Sequence, residues 1–185
     1  MTAGDLAIED LPLEGAFIIK PKEFHDERGA FFKMYTREIL KSRGVEPFFP
    51  EDYISISKKG VIRGLHYQLD PFAQAKLVRC DRGEVFDVLV DLRKSSKTFG
   101  KWTSVVLSEK NRISVYVPRG FAHGFVTLED YTEFQYKCDN FYAPAQEGGI
   151  IWNDPDLKIY WPIENPILSD KDKKHQFFKD LKSPF

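Results

Sequence analysis

The chain has 185 residues, 42% hydrophobic and 30% charged, with 27 Lys and Arg against 28 Asp and Glu. This is an ordinary globular composition, long enough for one domain with a substantial core, and it excludes intrinsic disorder. A net charge of −1 excludes a general basic field for nucleic acid or anionic lipid, so a nucleotide ligand would need a few local Arg and Lys residues.

Strand-like runs separated by turns fill most of the chain. Ala16 to Lys20 is a short apolar run closed by Pro21, and Ala30 to Thr36 follows the Arg28-Gly29 turn. Thr36 to Arg43 reads as two helical turns, with Thr36 as N-cap and Gly44 as the stop. Tyr53 to Ser57 alternates and ends at Lys58-Lys59-Gly60, followed by Val61 to Gln68 and Ala75 to Cys80. Glu84 to Leu92, Trp102 to Leu107, Ile113 to Val117, Gly124 to Leu128 and Thr132 to Cys138 complete the series. Ser169, with Asp170 and Asp172 behind it, reads as a second helix start. Turn signals at such short intervals predict an all-β antiparallel sandwich or barrel with a few short helices, in one domain over 1–185.

No apolar run is long enough to span a bilayer, and Met1 to Leu13, with Asp5, Glu9 and Asp10, lacks a signal-peptide pattern. The expectation is a cytoplasmic protein. Cys80 and Cys138 read as buried structural thiols rather than a disulfide. Neither a Gly-rich βαβ fingerprint nor a phosphate-cradling Gly-Lys-Ser/Thr loop is present, which removes the common nucleotide-binding folds. The aromatic share of 15% suits strands and also pockets that hold sugars and bases.

Two histidines stand in recognisable spacing. His66 follows Gly60 by six positions, and His123 ends Pro118-Arg119-Gly120-Phe121-Ala122-His123. This pair resembles the signatures of the cupin jelly-roll superfamily. In metal-binding cupins a second His stands two residues after the first, where this chain has Gln68. A first-row metal ordinarily takes three His or carboxylate ligands, so no metal is expected and acid–base chemistry is.

A fuller match covers nearly the whole chain. Gly60-Val61-Ile62-Arg63-Gly64-Leu65-His66-Tyr67-Gln68, Asp91 to Ser96, Phe121 to Phe125, Tyr136-Lys137-Cys138, Ile151 to Pro155 and Ile167 to Asp172 follow one another in order. Together they resemble the dTDP-4-dehydrorhamnose 3,5-epimerases. The resemblance implies a cupin-like jelly roll without metal or cofactor, a homodimer whose N-terminal region exchanges a strand, and a role in dTDP-rhamnose and cell-envelope polysaccharide synthesis. It implies His66 as base, Asp172 as its orienting carboxylate, Lys76 as the cation for the developing oxyanion and Tyr136 as the opposing acid. These roles agree with the chemistry: inversion beside a ketone needs a base near neutral pKa, a stabilised enolate and a proton returned to the other face.

For binding, the resemblance implies Arg28 and Arg63 on the diphosphate, His123, Glu147 and Lys171 on the substrate, and Tyr142 as a pocket aromatic, with Gln68 beside them. Lys33 stands where the family has Glu, and Glu51-Asp52-Tyr53 where it reads Gln, an acidic residue and Asn. Those positions contact the nucleotide in the family, so the departures fall on nucleoside choice. His25 and His175 lie in no motif and read as surface residues; without the family motif, Lys171 to Lys174 would read by default as a solvated helical face. Rival readings on the same barrel are a 3-epimerase or ketoisomerase of another nucleotide-linked keto sugar, a metal-dependent oxygenase, and a sugar-binding module without catalysis.

Overall fold

The computed structural model describes residues 3–46 and 48–185; Met1 and Thr2, part of the N-terminal stretch read above, lie outside them, as does Pro47. Among the described residues thirteen strands follow in chain order: β1 (Leu6–Asp10), β2 (Phe17–Pro21), β3 (Glu23–Asp26), β4 (Gly29–Phe32), β5 (Glu51–Ser57), β6 (Ile62–Gln68), β7 (Lys76–Arg82), β8 (Glu84–Asp91), β9 (Trp102–Ser108), β10 (Ser114–Val117), β11 (Phe121–Thr127), β12 (Thr132–Cys138) and β13 (Glu147–Gly149). A six-stranded sheet runs β1-β2-β10-β7-β12-β5, a five-stranded sheet runs β13-β6-β11-β8-β9, and β3-β4 form a separate hairpin. The antiparallel all-β sandwich expected from the turn spacing, and the jelly roll implied by the resemblance, are the observed architecture.

Each sheet is apolar on both faces, which explains strands such as β11 that are buried along their whole length. Between the sheets, Val78, Leu89, Val115, Phe121, Phe125 and Phe134 form one core. The outer face of the six-stranded sheet, with Phe17, Ile19, Leu77 and Tyr116, is covered by Ile39 and Leu40 of α1 (Arg37–Lys41). Thr36 caps that helix by accepting the Ile39 N–H at 3.2 Å, as the sequence predicts. The outer face of the five-stranded sheet, with Ile62, Leu65, Val88, Val90, Ala122 and Val126, is covered by the long C-terminal segment through Leu157, Trp161, Phe178, Leu181 and Phe185.

Three strands were not foreseen. β1 carries Glu9 and Asp10 and β3 reads Glu-Phe-His-Asp, so neither shows an apolar period; β13 is Glu-Gly-Gly. Their pairing comes from a neighbour: β2 for β1, β4 for β3 and β6 for β13. The strand expected over Ala30 to Thr36 ends at Phe32, where β3 offers no further partner. The helix start expected at Ser169 is a short 3-10 turn, Asp172–Lys174, with Ser169 Oγ accepting the Asp172 N–H at 3.1 Å. Both cysteines are free and buried. Among the described residues no helix is long and apolar enough to cross a membrane.

Candidate active site

A cavity of about 340 Å³ opens between the sheets, lined by Tyr53, Lys76, Phe134, Tyr136 and Cys138 from one and Arg63, His66, Gln68, His123, Phe125 and Glu147 from the other. Tyr142, Ser169, Lys171 and Asp172 complete its rim. The strand period accounts for most of this lining. Lys76 and Val78 share one face of β7, and Phe134, Tyr136 and Cys138 share one face of β12.

β6 breaks the period. Its partners run His123↔His66 but Phe125↔Arg63, so three steps along β6 match two along β11. The extra residue sits at Gly64, whose φ is +129°; a Cβ there would fall 2.5 Å from Gly124 Cα and 2.8 Å from the His123 carbonyl oxygen. Only glycine allows this approach. The bulge reverses the alternation, so Ile62, Leu65 and Tyr67 pack on the outer core while Arg63, His66 and Gln68 face the cavity.

His66 Nε2 lies 2.5 Å from Asp172 Oδ1. An ionised carboxylate only accepts, so the Nε2 proton belongs to this bond and Nδ1 is left as the basic atom. Glu147 Oε1 is 3.9 Å from Nδ1, while its Oε2 accepts from Tyr142 OH at 2.7 Å and from Lys171 Nζ at 2.5 Å. Burial pushes the His66 imidazole below its ordinary value, outweighing the opposite pull of Asp172. Burial also opposes the Asp172 charge, yet His175, His66 and Ser169 overcome it and hold the carboxyl well below the usual range. The result is a neutral base against an anionic orienter.

The facing sheet supplies different groups. Burial raises the Tyr136 phenol, which keeps its proton loaded, and Tyr53 stacks on it with centroids 5.3 Å apart. Burial pushes the Lys76 ammonium down against the attraction of Cys138, Glu147 and Asp87. His123 Nε2 pairs with the buried Asp87 at 2.8 Å, forming a second His–Asp pair. Arg63 reaches Ser57 Oγ at 3.3 Å and 3.2 Å through its Nε and Nη2. Gln68 accepts the Ala143 N–H at 2.7 Å and donates to the Phe72 carbonyl at 2.7 Å, bracing the rim.

Ten of the eleven expected site residues therefore meet at one cavity; Arg28 does not. It stands on the β3-β4 hairpin, paired with Asp26 at 2.5 Å and 85% exposed. Of the departures from the family pattern, Tyr53 enters the cavity, Glu51 accepts the Tyr142 N–H at 2.8 Å, Asp52 pairs with Lys137 and Lys33 pairs with Asp5 at 2.6 Å. Asp87 belongs to no motif of the sequence, and its one signal there is an Asp within the apolar run of β8. The surface reading of His175 is corrected: its side chain is 11% exposed and packs against Asp172 and His66, with nothing in the sequence to mark it.

His66, Asp172 and His175 offer nitrogen and oxygen atoms within 4.8 Å of one another. Two ligands on one tetrahedral ion at about 2.1 Å stand roughly 3.3 Å apart. The 2.5 Å between His66 and Asp172 is instead a hydrogen-bond distance.

Residues 10–180 match the family described as dTDP-4-dehydrorhamnose 3,5-epimerase. The chain is similar to the dTDP-4-dehydrorhamnose 3,5-epimerase of Shigella flexneri, 54% identical over 164 residues, covering 88% of this chain and 91% of that one. The crystal structure of the dTDP-4-dehydrorhamnose 3,5-epimerase from Elizabethkingia anophelis superposes with a TM-score of 0.93 at 47% identity, covering 97% and 99% of the two chains. The dTDP-6-deoxy-D-glucose-3,5-epimerase of Legionella pneumophila, in complex with dTDP-4-keto-L-rhamnose, superposes with a TM-score of 0.90 at 40% identity, covering 95% and 94%.

Proposed function

Since the chain belongs to the dTDP-4-dehydrorhamnose 3,5-epimerases, a family of isomerases, we propose that it inverts carbons 3 and 5 of dTDP-4-dehydro-6-deoxy-D-glucose, giving dTDP-4-dehydro-L-rhamnose for dTDP-rhamnose synthesis. His66 on one sheet, paired with Asp172 of the C-terminal segment, and Tyr136 on the facing sheet carry this reading. Inversion needs a proton removed from one face and returned to the opposite one, and a cavity between two sheets supplies two such faces.

In each inversion His66 Nδ1 takes the proton from the carbon beside the C4 ketone, and the bonding electrons move onto the C4 oxygen. Asp172 stabilises the imidazolium, as a carboxylate does in other His–Asp pairs. Lys76 stabilises the enolate oxygen, a role in which a preorganised cation is most effective. Tyr136 protonates the carbon from the other side, the enolate electrons return to the C–C–O framework, and solvent restores both groups. Arg63, His123, Glu147, Lys171, Gln68 and Tyr142 bind the sugar diphosphate.

The active unit is a homodimer in which Arg28 of one copy reaches the diphosphate in the other. β5 is one of the two edge strands of the six-stranded sheet and presents Ile54 and Ile56, 59% and 63% exposed, with Phe31 exposed on the hairpin that carries Arg28. An open edge beside exposed apolar side chains is what strand exchange would cover.

The test is incubation with dTDP-4-dehydro-6-deoxyglucose in deuterated water. Deuterium at carbons 3 and 5 is the expected result, deuterium at carbon 3 alone indicates a 3-epimerase, and none rejects the substrate. His66→Ala abolishes exchange. Mixing inactive His66→Ala and Arg28→Ala subunits restores activity if Arg28 acts across the interface, and leaves it absent if it does not.

A further inference from the structure

Asp172 Oδ1 faces two imidazoles. His66 Nε2 approaches it at 2.5 Å and His175 Nε2 at 3.3 Å, from the same short turn that carries the carboxylate. His175 Nε2 is buried, and the polar atom it faces is Asp172 Oδ1, farther off than the His66 contact and without full hydrogen-bond alignment. A buried imidazole nitrogen without a well-aligned partner costs free energy, so its placement needs a reason. The surroundings are shaped for the ring. A Cβ on Gly149 would fall 2.5 Å from both Cε1 and Nε2 of His175, so β13 leaves room for this side chain only through glycine. Next along the chain, the Gln176 carbonyl accepts the Ile151 N–H at 2.9 Å and its Nε2 donates to Tyr67 OH at 3.1 Å, which anchors the ring's position. The ring meets His66 edge-on, 5.4 Å between centroids at 75°.

We propose that His175 is a positioning residue for the catalytic pair, donating its Nε2–H to Asp172 Oδ1 so that the carboxylate is held against His66 and its pull on the His66 proton is moderated. This rests on the reading of His66 as the base. A carboxylate with two N–H donors is less basic than one with a single donor, so it raises the proton affinity of His66 less. The other charged groups facing His66 are Glu147 from β13 and Lys76 from β7, with Lys171 paired to Glu147. None of them replaces a donor on Asp172 Oδ1. His175 therefore sets how far below neutrality the base stays unprotonated, without touching the reacting atoms.

The pKa of His66 is read directly by NMR titration of its Cε1–H in the wild-type protein, His175→Ala, His175→Gln and Gly149→Ala. This readout needs no substrate, so it stands even where the assigned substrate fails. His175→Ala and Gly149→Ala raise the His66 pKa relative to wild type, while His175→Gln, which keeps a donor near the Nε2 position, returns it towards wild type. With substrate, the acid limb of kcat moves up in parallel, kcat falls by roughly tenfold, the order of one hydrogen bond to a charged group, and KM is unchanged. An unmoved His66 pKa in His175→Ala overturns the proposal. Equal loss of kcat in the Ala and Gln variants without a pKa change also overturns it, because that is what general loosening of the turn produces. Gly149→Ala supplies the same readout where His175→Ala unfolds.

Discussion

Arg63 and His66 stand three residues apart on one strand yet face the same cavity. Regular alternation would put them on opposite faces of the sheet. The extra residue at Gly64 removes that conflict, and it does so where β6 and β11 approach too closely for any side chain. Arg63, proposed to grip the diphosphate, and His66, the proposed base, are thus set side by side by a backbone irregularity.

Replacing Gly64 should therefore damage more than local packing. Gly64→Ala needs both an unfavourable φ and a 2.5 Å contact with Gly124. Roughly 2–4 kcal/mol of stability should be lost. At roughly 2–4 °C per kcal/mol for a chain of this size, thermal melting should fall by about 5–15 °C. A melting temperature within a degree of wild type contradicts the close-packed bulge.

Asp172→Asn keeps the shape of the orienting side chain but replaces an acceptor-only group with an amide. His66 can then take the tautomer with its proton on Nδ1, which is useless as a base. Turnover should drop by roughly 10²–10⁴ with KM little changed, as for comparable His–Asp pairs. Steady-state kinetics on the dTDP-keto sugar measure this, and a rise in KM at constant kcat would instead assign Asp172 to binding.

Tyr136→Phe separates the two halves of each inversion. The base on the opposite sheet still removes and returns protons, so deuterium exchange should persist while inverted product falls by roughly 10²–10⁴. Parallel loss of exchange and inversion would place Tyr136 on the enolisation step.

The acid side of the pH profile follows from two shifts. His66 is held below its ordinary 6.5 by burial, so the acid limb of kcat/KM should lie below pH 6.5. The same shift affects folding: below 6.5 the unfolded chain binds a proton that the native site refuses, so stability declines as pH falls from 6.5 to the native pKa of His66. Asp172 contributes a second window, since its stabilising charge is fully present above the unfolded value of 3.8 and is lost as pH falls below it. Denaturant midpoints at a series of pH values should show both declines in wild type, with the upper one missing in His66→Ala.

The sheets were legible because runs rich in apolar and β-branched residues, alternating in β12 and near-continuous in β8, are bounded by clear turns. β1, β3 and β13 lack that period and owe their conformation to a partner strand, which no local pattern encodes. The cavity lining was legible where its residues sit in motifs with distinctive spacing, as His66 and His123 do. His175 was not, since it lies among Lys, Gln and Asp and its burial depends on Gly149, 26 positions earlier. The common orientation of Arg63 and His66 was equally hidden, because alternation predicts the opposite.

Asp172 reaches His66 across 106 positions of sequence, from the segment whose Leu157, Trp161, Phe178 and Leu181 cover the outer core of the five-stranded sheet. The orienting half of the catalytic pair is thus carried by a strap that lies over the sandwich rather than by a strand within it. Partial opening of that strap breaks its own bonds to the sheet, such as the Ile62 N–H to the Ile167 carbonyl, but leaves the ladders between the named strands in place and separates Asp172 from His66. On warming, enzymatic competence should vanish before the β-sheet signal does, so inactivation reports peeling of the C-terminal strap and not collapse of the jelly roll.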